Sequence, residues 1–163
     1  VTDFTKGILR GGQKIEAFNR VGDKPNLIVR QSETALIADV VRQVAANEAD
    51  KLTTAIITKT LAQAQALTTQ LKAAGAKVTL IRSENQRLAA GTLVVPSFLA
   101  KGLEFDAIIG WQINATNYDH ENQRQLLYTI CSRAMHRLTL LATGELSPLL
   151  ATVDANLYTV TRD

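Results

Sequence analysis

The stretch Thr53-Thr-Ala-Ile-Ile-Thr58, followed by Lys59-Thr-Leu-Ala-Gln-Ala-Gln-Ala-Leu-Thr-Thr-Gln-Leu-Lys-Ala-Ala-Gly75, decides the fold. Its first part is a short apolar and β-branched run of the kind found in a strand buried on both faces. Its second part reads as a helix over residues 60–74, closed by a glycine free to take the left-handed conformation that ends helices. A buried strand running straight into a helix is the repeating unit of a parallel α/β sheet.

The same alternation continues outward in both directions. Upstream lies the strand Asn26-Leu-Ile-Val-Arg30, then a helix over residues 33–47 with Ser32 as N-cap and Leu36, Ile37, Val40, Val41 and Val44 on one stripe. Downstream come the strands Lys77-Val-Thr-Leu-Ile81, Thr92-Leu-Val-Val-Pro96 and Asp106-Ala-Ile-Ile-Gly-Trp-Gln-Ile113. A helix over residues 120–135, a strand Arg137-Leu-Thr-Leu-Leu-Ala142 and a helical turn or two over residues 147–152 complete the pattern. The opening residues 1–9 read as the last turns of a helix ending near Gly11-Gly12, with little to start it, as in a piece of a longer protein. No repeat, low-complexity tract or linker interrupts residues 1–163, so the expectation is a single domain.

Bulk composition narrows the classes. The chain has 163 residues, 46% hydrophobic and 20% charged, which are globular values. Net charge is +3, spread unevenly. Residues 1–30 hold six Lys/Arg against three acids, and residues 101–163 hold five against seven. That leaves open a basic face toward an anionic partner, although no stretch has the dense clustering of a nucleic-acid arm. The single Cys131 excludes an internal disulfide and, with no signal-like start, points to a reducing cytoplasm. No apolar run approaches the ~18 residues of a membrane helix. His120 and His136 with one cysteine make no metal site.

Two places carry chemistry beyond packing, and sheets of this class bind ligands at the carboxyl ends of their strands. The first is Pro96-Ser-Phe-Leu-Ala-Lys-Gly-Leu-Glu-Phe-Asp106, where Gly102 allows a turn or a close backbone approach and Glu104 could accept from sugar hydroxyls. A plain Lys101–Glu104 pair on one exposed turn is the competing reading. The second is Gln123-Arg-Gln-Leu-Leu-Tyr-Thr-Ile-Cys-Ser-Arg-Ala-Met135, where Arg133 falls at the edge of an apolar stripe of Leu126, Leu127, Ile130, Cys131 and Ala134. A guanidinium there needs an anion: an ordinary ion pair or helix dipole on one reading, a transferring phosphate on the other.

Ala100-Lys-Gly-Leu-Glu-Phe-Asp106 resembles motif V of the UvrD/Rep group of superfamily 1 helicases, and residues 125–138 resemble their motif VI. The resemblance covers residues 91–145. It implies a RecA-like, P-loop NTPase-like three-layer sandwich with a mostly parallel central sheet. It also implies a C-terminal motor domain of an ATP-dependent DNA helicase-like protein. Arg133 then matches the arginine that reaches the γ-phosphate, and Glu104 the glutamate near the ribose, with Gly102 at the turn beside them. Tyr128 and Met135 match packing residues that orient the helix. Ser97 and Phe98 match the nucleic-acid-binding part of motif V. Phe98 replaces a histidine that touches single-stranded DNA in many members, and Pro96 replaces a threonine.

The chain has no Gly-x-x-x-x-Gly-Lys-Ser/Thr loop and no acidic strand end for magnesium. The resemblance therefore implies that ATP with Mg2+ is held mainly by an N-terminal RecA-like domain of the same protein. The fragment alone is expected to be inactive, and the family's motif IV arginine to fall before Val1. Short connections around motif V and the Val95-Pro-Ser-Phe wording look most like the HelD branch, bacterial ATPases that act on RNA polymerase. There Phe98 is expected to be a buried apolar plug; in a conventional helicase it would stack on a base. A non-catalytic flavodoxin-like binding module is the alternative from another class.

Overall fold

Every paired strand in the sheet runs parallel to its neighbours. The computed structural model describes residues 1–9, 24–88 and 90–163. Among them, seven strands form one sheet: β1 (Asn26–Arg30), β2 (Thr54–Thr58), β3 (Val78–Leu80), β4 (Thr92–Pro96), β5 (Phe105–Gly110), β6 (Ala134–Thr143) and β7 (Thr159–Arg162). Their spatial order is β3-β4-β2-β5-β6-β1-β7. Four α-helices accompany them: α1 (Thr2–Ile8), α2 (Glu33–Ala49), α3 (Leu61–Ala73) and α4 (Arg124–Ser132).

The strand sequences explain the three layers. Successive side chains point to opposite faces, so in a sheet covered on both sides nearly every position is apolar. β2 and β4 are buried at all five positions. Ala55, Ile57, Leu93, Val95, Ile108, Leu138 and Leu140 join the core beneath α1 and α4. Their neighbours Ile56, Val94, Ile109 and Leu141 join the core beneath α2 and α3.

The helix starts follow their caps. The Ser32 hydroxyl accepts from the Ala35 N–H at 3.2 Å, and Thr60 accepts from Gln63 at 3.1 Å. After α3 the chain turns through Gly75 at φ +90°, as the glycine predicted.

Three expectations need correction. The helix expected over residues 120–135 is a 3₁₀ turn (Glu121–Gln123) followed by α4, which ends at Ser132. Ala134 onward is already β6, so Met135 is a strand residue, 57% exposed, and not a packing residue of a helix. The strand expected to run to Ile113 stops at Gly110. β7 was not anticipated, because it is a short edge strand with no buried position to mark it. Residues 147–152 do form a 3₁₀ turn, Pro148–Thr152. The expected helix end at Gly11-Gly12 lies outside the described residues.

On the α1 side, Arg124 fastens three segments together. Its Nη1 donates to the carbonyl oxygens of Ile8 (2.8 Å) and Leu149 (3.0 Å), while its Nε pairs with Glu121 at 2.8 Å. This guanidinium sits at the first turn of α4, the helix that delivers Arg133 at its other end.

Candidate functional site

The stretch from Pro96 to Phe105 crosses the sheet from one edge to the other. Pro96 ends β4 beside Thr58, at the carboxyl end of β2. Phe105 starts β5, and two residues later the Ala107 N–H reaches the Thr53 carbonyl, just before β2 begins. At about 3.3 Å per residue, the two ends of the stretch lie about 20 Å apart along the strands. Between them, a 3₁₀ turn (Ser97–Leu99) buries Leu99 and Ala100 in the core under α1 and α4. Gly102 then turns at φ +80°. Glu104 and Arg133 therefore flank the amino ends of β5 and β6, not the carboxyl ends as expected.

At that amino edge the two motifs are joined through the backbone. The Phe105 N–H donates to the Arg133 carbonyl at 3.0 Å, and Phe105 pairs with Ala134 across the ladder. Arg133 is the C-cap of α4, φ −74° and ψ −13°, rather than a residue on its apolar stripe. Its guanidinium is half-buried. Nη2 has one long contact with the Ser132 hydroxyl at 3.4 Å, and Nε is buried with no hydrogen-bond partner. Orphaned donors of this kind are rare in folded proteins, because an unmade bond costs about 1–3 kcal/mol, and more for a charged group.

Glu104 is exposed on the residue preceding Phe105. Among the described residues no ion pair joins it to Lys101, so the simple surface-pair reading does not describe this turn. A residue not singled out from the sequence as functional, Asp106, is committed to structure. Its carboxylate accepts from the Thr53 N–H (2.9 Å) and hydroxyl (3.1 Å), tying the starts of β5 and β2 together. Among the described residues no three His, Cys, Asp or Glu side chains cluster as a metal site.

The carboxyl edge holds Ser97 and Phe98. Ser97 is buried, and its hydroxyl donates to the Lys59 carbonyl at 2.7 Å, so its side chain braces β2 against β4. Phe98 is 57% exposed. The apolar plug expected of the HelD-like reading is therefore absent, because the ring points away from the core that Leu99 and Ala100 fill. Lys59, at the end of β2, carries its ammonium 5.8 Å above the Tyr118 ring. Burial pushes the pKa values of Tyr118 and Cys131 well above their ordinary ranges, so both stay neutral.

Comparison with known proteins adds to this geometry. A family model described as the UvrD-like helicase C-terminal domain matches residues 93–141. The structure is similar to the crystal structure of the C-terminal domain of a possible DNA helicase from Lactobacillus plantarum WCFS1. The two are 58% identical, with a TM-score of 0.87, over 98% of this chain and 93% of that one. It is also similar in fold to the Arterivirus nonstructural protein 10 helicase solved with DNA (TM-score 0.52, 15% identity, 85% of this chain and 35% of that one). No curated protein matches significantly. The sheet and its flanking helices thus define a RecA-like α/β fold. Within that class, the chain belongs to the UvrD-like helicase C-terminal domain family.

Proposed function

We propose that this domain completes an ATP site with its amino edge and carries nucleic acid on its carboxyl edge. It would do so as the second motor half of a DNA helicase-like ATPase. The observation that carries the reading is the Arg133 guanidinium, whose Nε is buried without a partner one residue before β6. A phosphate oxygen brought to it would satisfy the orphaned donor, and a charge-assisted bond to such an anion is about twice as strong as a neutral one. In phosphoryl transfer, negative charge spreads over the transferred group, and an arginine placed to donate to it lowers the barrier. Glu104, exposed on the residue before Phe105, would accept from ribose hydroxyls, with Gly102 shaping the turn. The N-terminal RecA-like half would supply the phosphate loop and hold Mg2+.

At the other edge, the exposed Phe98 ring offers a face on which a base of single-stranded DNA can stack. Ser97 would hold the turn beneath it. The reading with RNA polymerase as target rests on the short connections around motif V and the Val95-Pro-Ser-Phe wording, and the exposed Phe98 ring is not the buried plug expected with it.

The test is Arg133→Ala in the complete two-half protein. ATP hydrolysis should fall by roughly 10³-fold or more. Because Nε has no partner to lose, stability should hold within about 1 kcal/mol. A variant that unfolds while its folded fraction hydrolyses ATP normally would make Arg133 a structural residue and end the proposal.

A further inference from the structure

The pairing of β5 with β6 is irregular at one point, two residues beyond Arg133. Phe105 pairs with Ala134, but Ala107 pairs with Arg137. Where β5 spends one residue, Asp106, β6 spends two, Met135 and His136. An extra residue of this kind is a β-bulge, rare between parallel strands and frequent beside active sites, where it re-aims a side chain. Here it stands between the body of β6 and the arginine on which the proposed ATP site depends.

The irregularity is held on both sides. Beyond it, Arg137 donates to the Asn47 side chain at 2.9 Å and pairs with Asp50 at 2.9 Å, which fixes that part of β6 to the end of α2. Opposite it, Asp106 faces both neighbouring strands. Its N–H donates to the Thr53 hydroxyl at 3.0 Å, and its Oδ2 accepts from the Thr53 N–H and hydroxyl. Its Oδ1 lies 3.7 Å from Nε2 of His136, a residue of the bulge. Arg133 itself is located through its backbone. Its N–H donates to the Ile130 carbonyl at 3.3 Å, and its carbonyl accepts from the N–H of Phe105, the residue before Asp106.

We infer that Asp106 is a positioning residue for Arg133. By tying the start of β5 to Thr53 and facing the bulge of β6, it keeps the Phe105 N–H on the Arg133 carbonyl and so fixes where the guanidinium stands. The inference rests on the reading of Arg133 given above. Without the carboxylate, the extra residue of β6 is free to migrate, and a one-residue change of register turns successive side chains to the opposite face. A misplacement of only about 1 Å at a reacting group can cost about a hundredfold in rate. A brace that merely stabilised the sheet would change how much protein folds, not how fast the folded protein hydrolyses ATP.

The test is a double-mutant cycle in the complete two-half protein, read as kcat and KM for ATP. Asp106→Ala should lower kcat roughly 10- to 100-fold and leave KM within about threefold, because the arginine acts on the transition state. Asp106→Asn, which still accepts from the Thr53 N–H, should recover most of that loss. In an Arg133→Ala background Asp106→Ala should cost nothing more, since its effect runs through the missing guanidinium. Thr53→Val, of the same shape and at an exposed position, removes the hydroxyl alone. It should give a smaller fall that also vanishes in that background, and it carries the cycle if Asp106→Ala does not fold. If the losses multiply with that of Arg133→Ala, or if neither substitution changes kcat, the inference fails while the Arg133 reading stands. If Arg133→Ala itself leaves hydrolysis intact, both fail.

Discussion

At the scale of single residues, Gly102 shows how a turn constrains chemistry. Its φ of +80° lies in the left-handed region, and a Cβ added there would meet nothing within 4 Å. A substitution therefore costs conformational energy alone, of order 1–2 kcal/mol for alanine. Gly102→Ala should lower the melting temperature by about 2–8 °C, and Gly102→Asn by less, since asparagine tolerates this region. Equal losses for the two would show that the turn is held by something other than its backbone angle. Asp163 offers a second residue-scale test. The Gln31 N–H and the Arg30 guanidinium hold its carboxyl below the usual range. The stabilisation from this contact is present above the ordinary aspartate value of about 3.9 and is lost as pH falls through the lowered one. The Gln31 amide resonance, followed by NMR, should titrate with a midpoint below that ordinary value; a midpoint at or above it would contradict the contact. Arg133 could be singled out from sequence because a charged residue bordered an apolar stripe. Its orphaned Nε could not, because that depends on which donors and acceptors the folded chain brings within reach.

At the scale of elements, Arg124 is the fastening that matters most on the α1 side. Removing it would leave the Ile8 and Leu149 carbonyl oxygens without their charged donor, and bonds to charged groups contribute about 1.5–3 kcal/mol each. Arg124→Ala should lower the melting temperature by about 6–24 °C and raise amide exchange in α1 before it does so in β2. Uniform exchange across the fold would show that α1 does not depend on this latch. The strands were legible because parallel strands buried on both faces read as continuous apolar runs, Thr54–Thr58 and Thr92–Pro96 above all. The end of α4 was not. Ala134, Met135 and Arg137 all favour helix locally, and no glycine or proline marks the stop. Pairing with Phe105, a strand distant in sequence, pulls Ala134 into the sheet instead. The Thr159–Arg162 strand escaped notice for the opposite reason: all four of its residues are exposed, so no periodicity betrays it. The edge on which Glu104 and Arg133 sit was also misplaced, because a sequence gives the order of strand and turn but not which end of the sheet the turn has reached.

At the scale of the whole molecule, the proposed division of labour predicts that the chain alone should show no ATP turnover above background in a phosphate-release assay, with activity appearing only in the two-half protein. Robust turnover by the 163 residues would overturn it. The crossing from Pro96 to Phe105 carries a further consequence. Its nine Cα steps must descend about 20 Å along the strands and about 10 Å across two strand spacings, with three residues coiled in a 3₁₀ turn that advances only about 6 Å. Little slack is left, and Leu99 and Ala100 pin its middle in the core. If the two proposed sites communicate along this taut segment, lengthening it should disconnect the two edges without dismantling either. Two glycines inserted after Gly102 in the complete protein should leave DNA binding in place while abolishing stimulation of ATP hydrolysis by DNA. Stimulation that survives the insertion would mean the signal travels by another route, through α4 or the partner half.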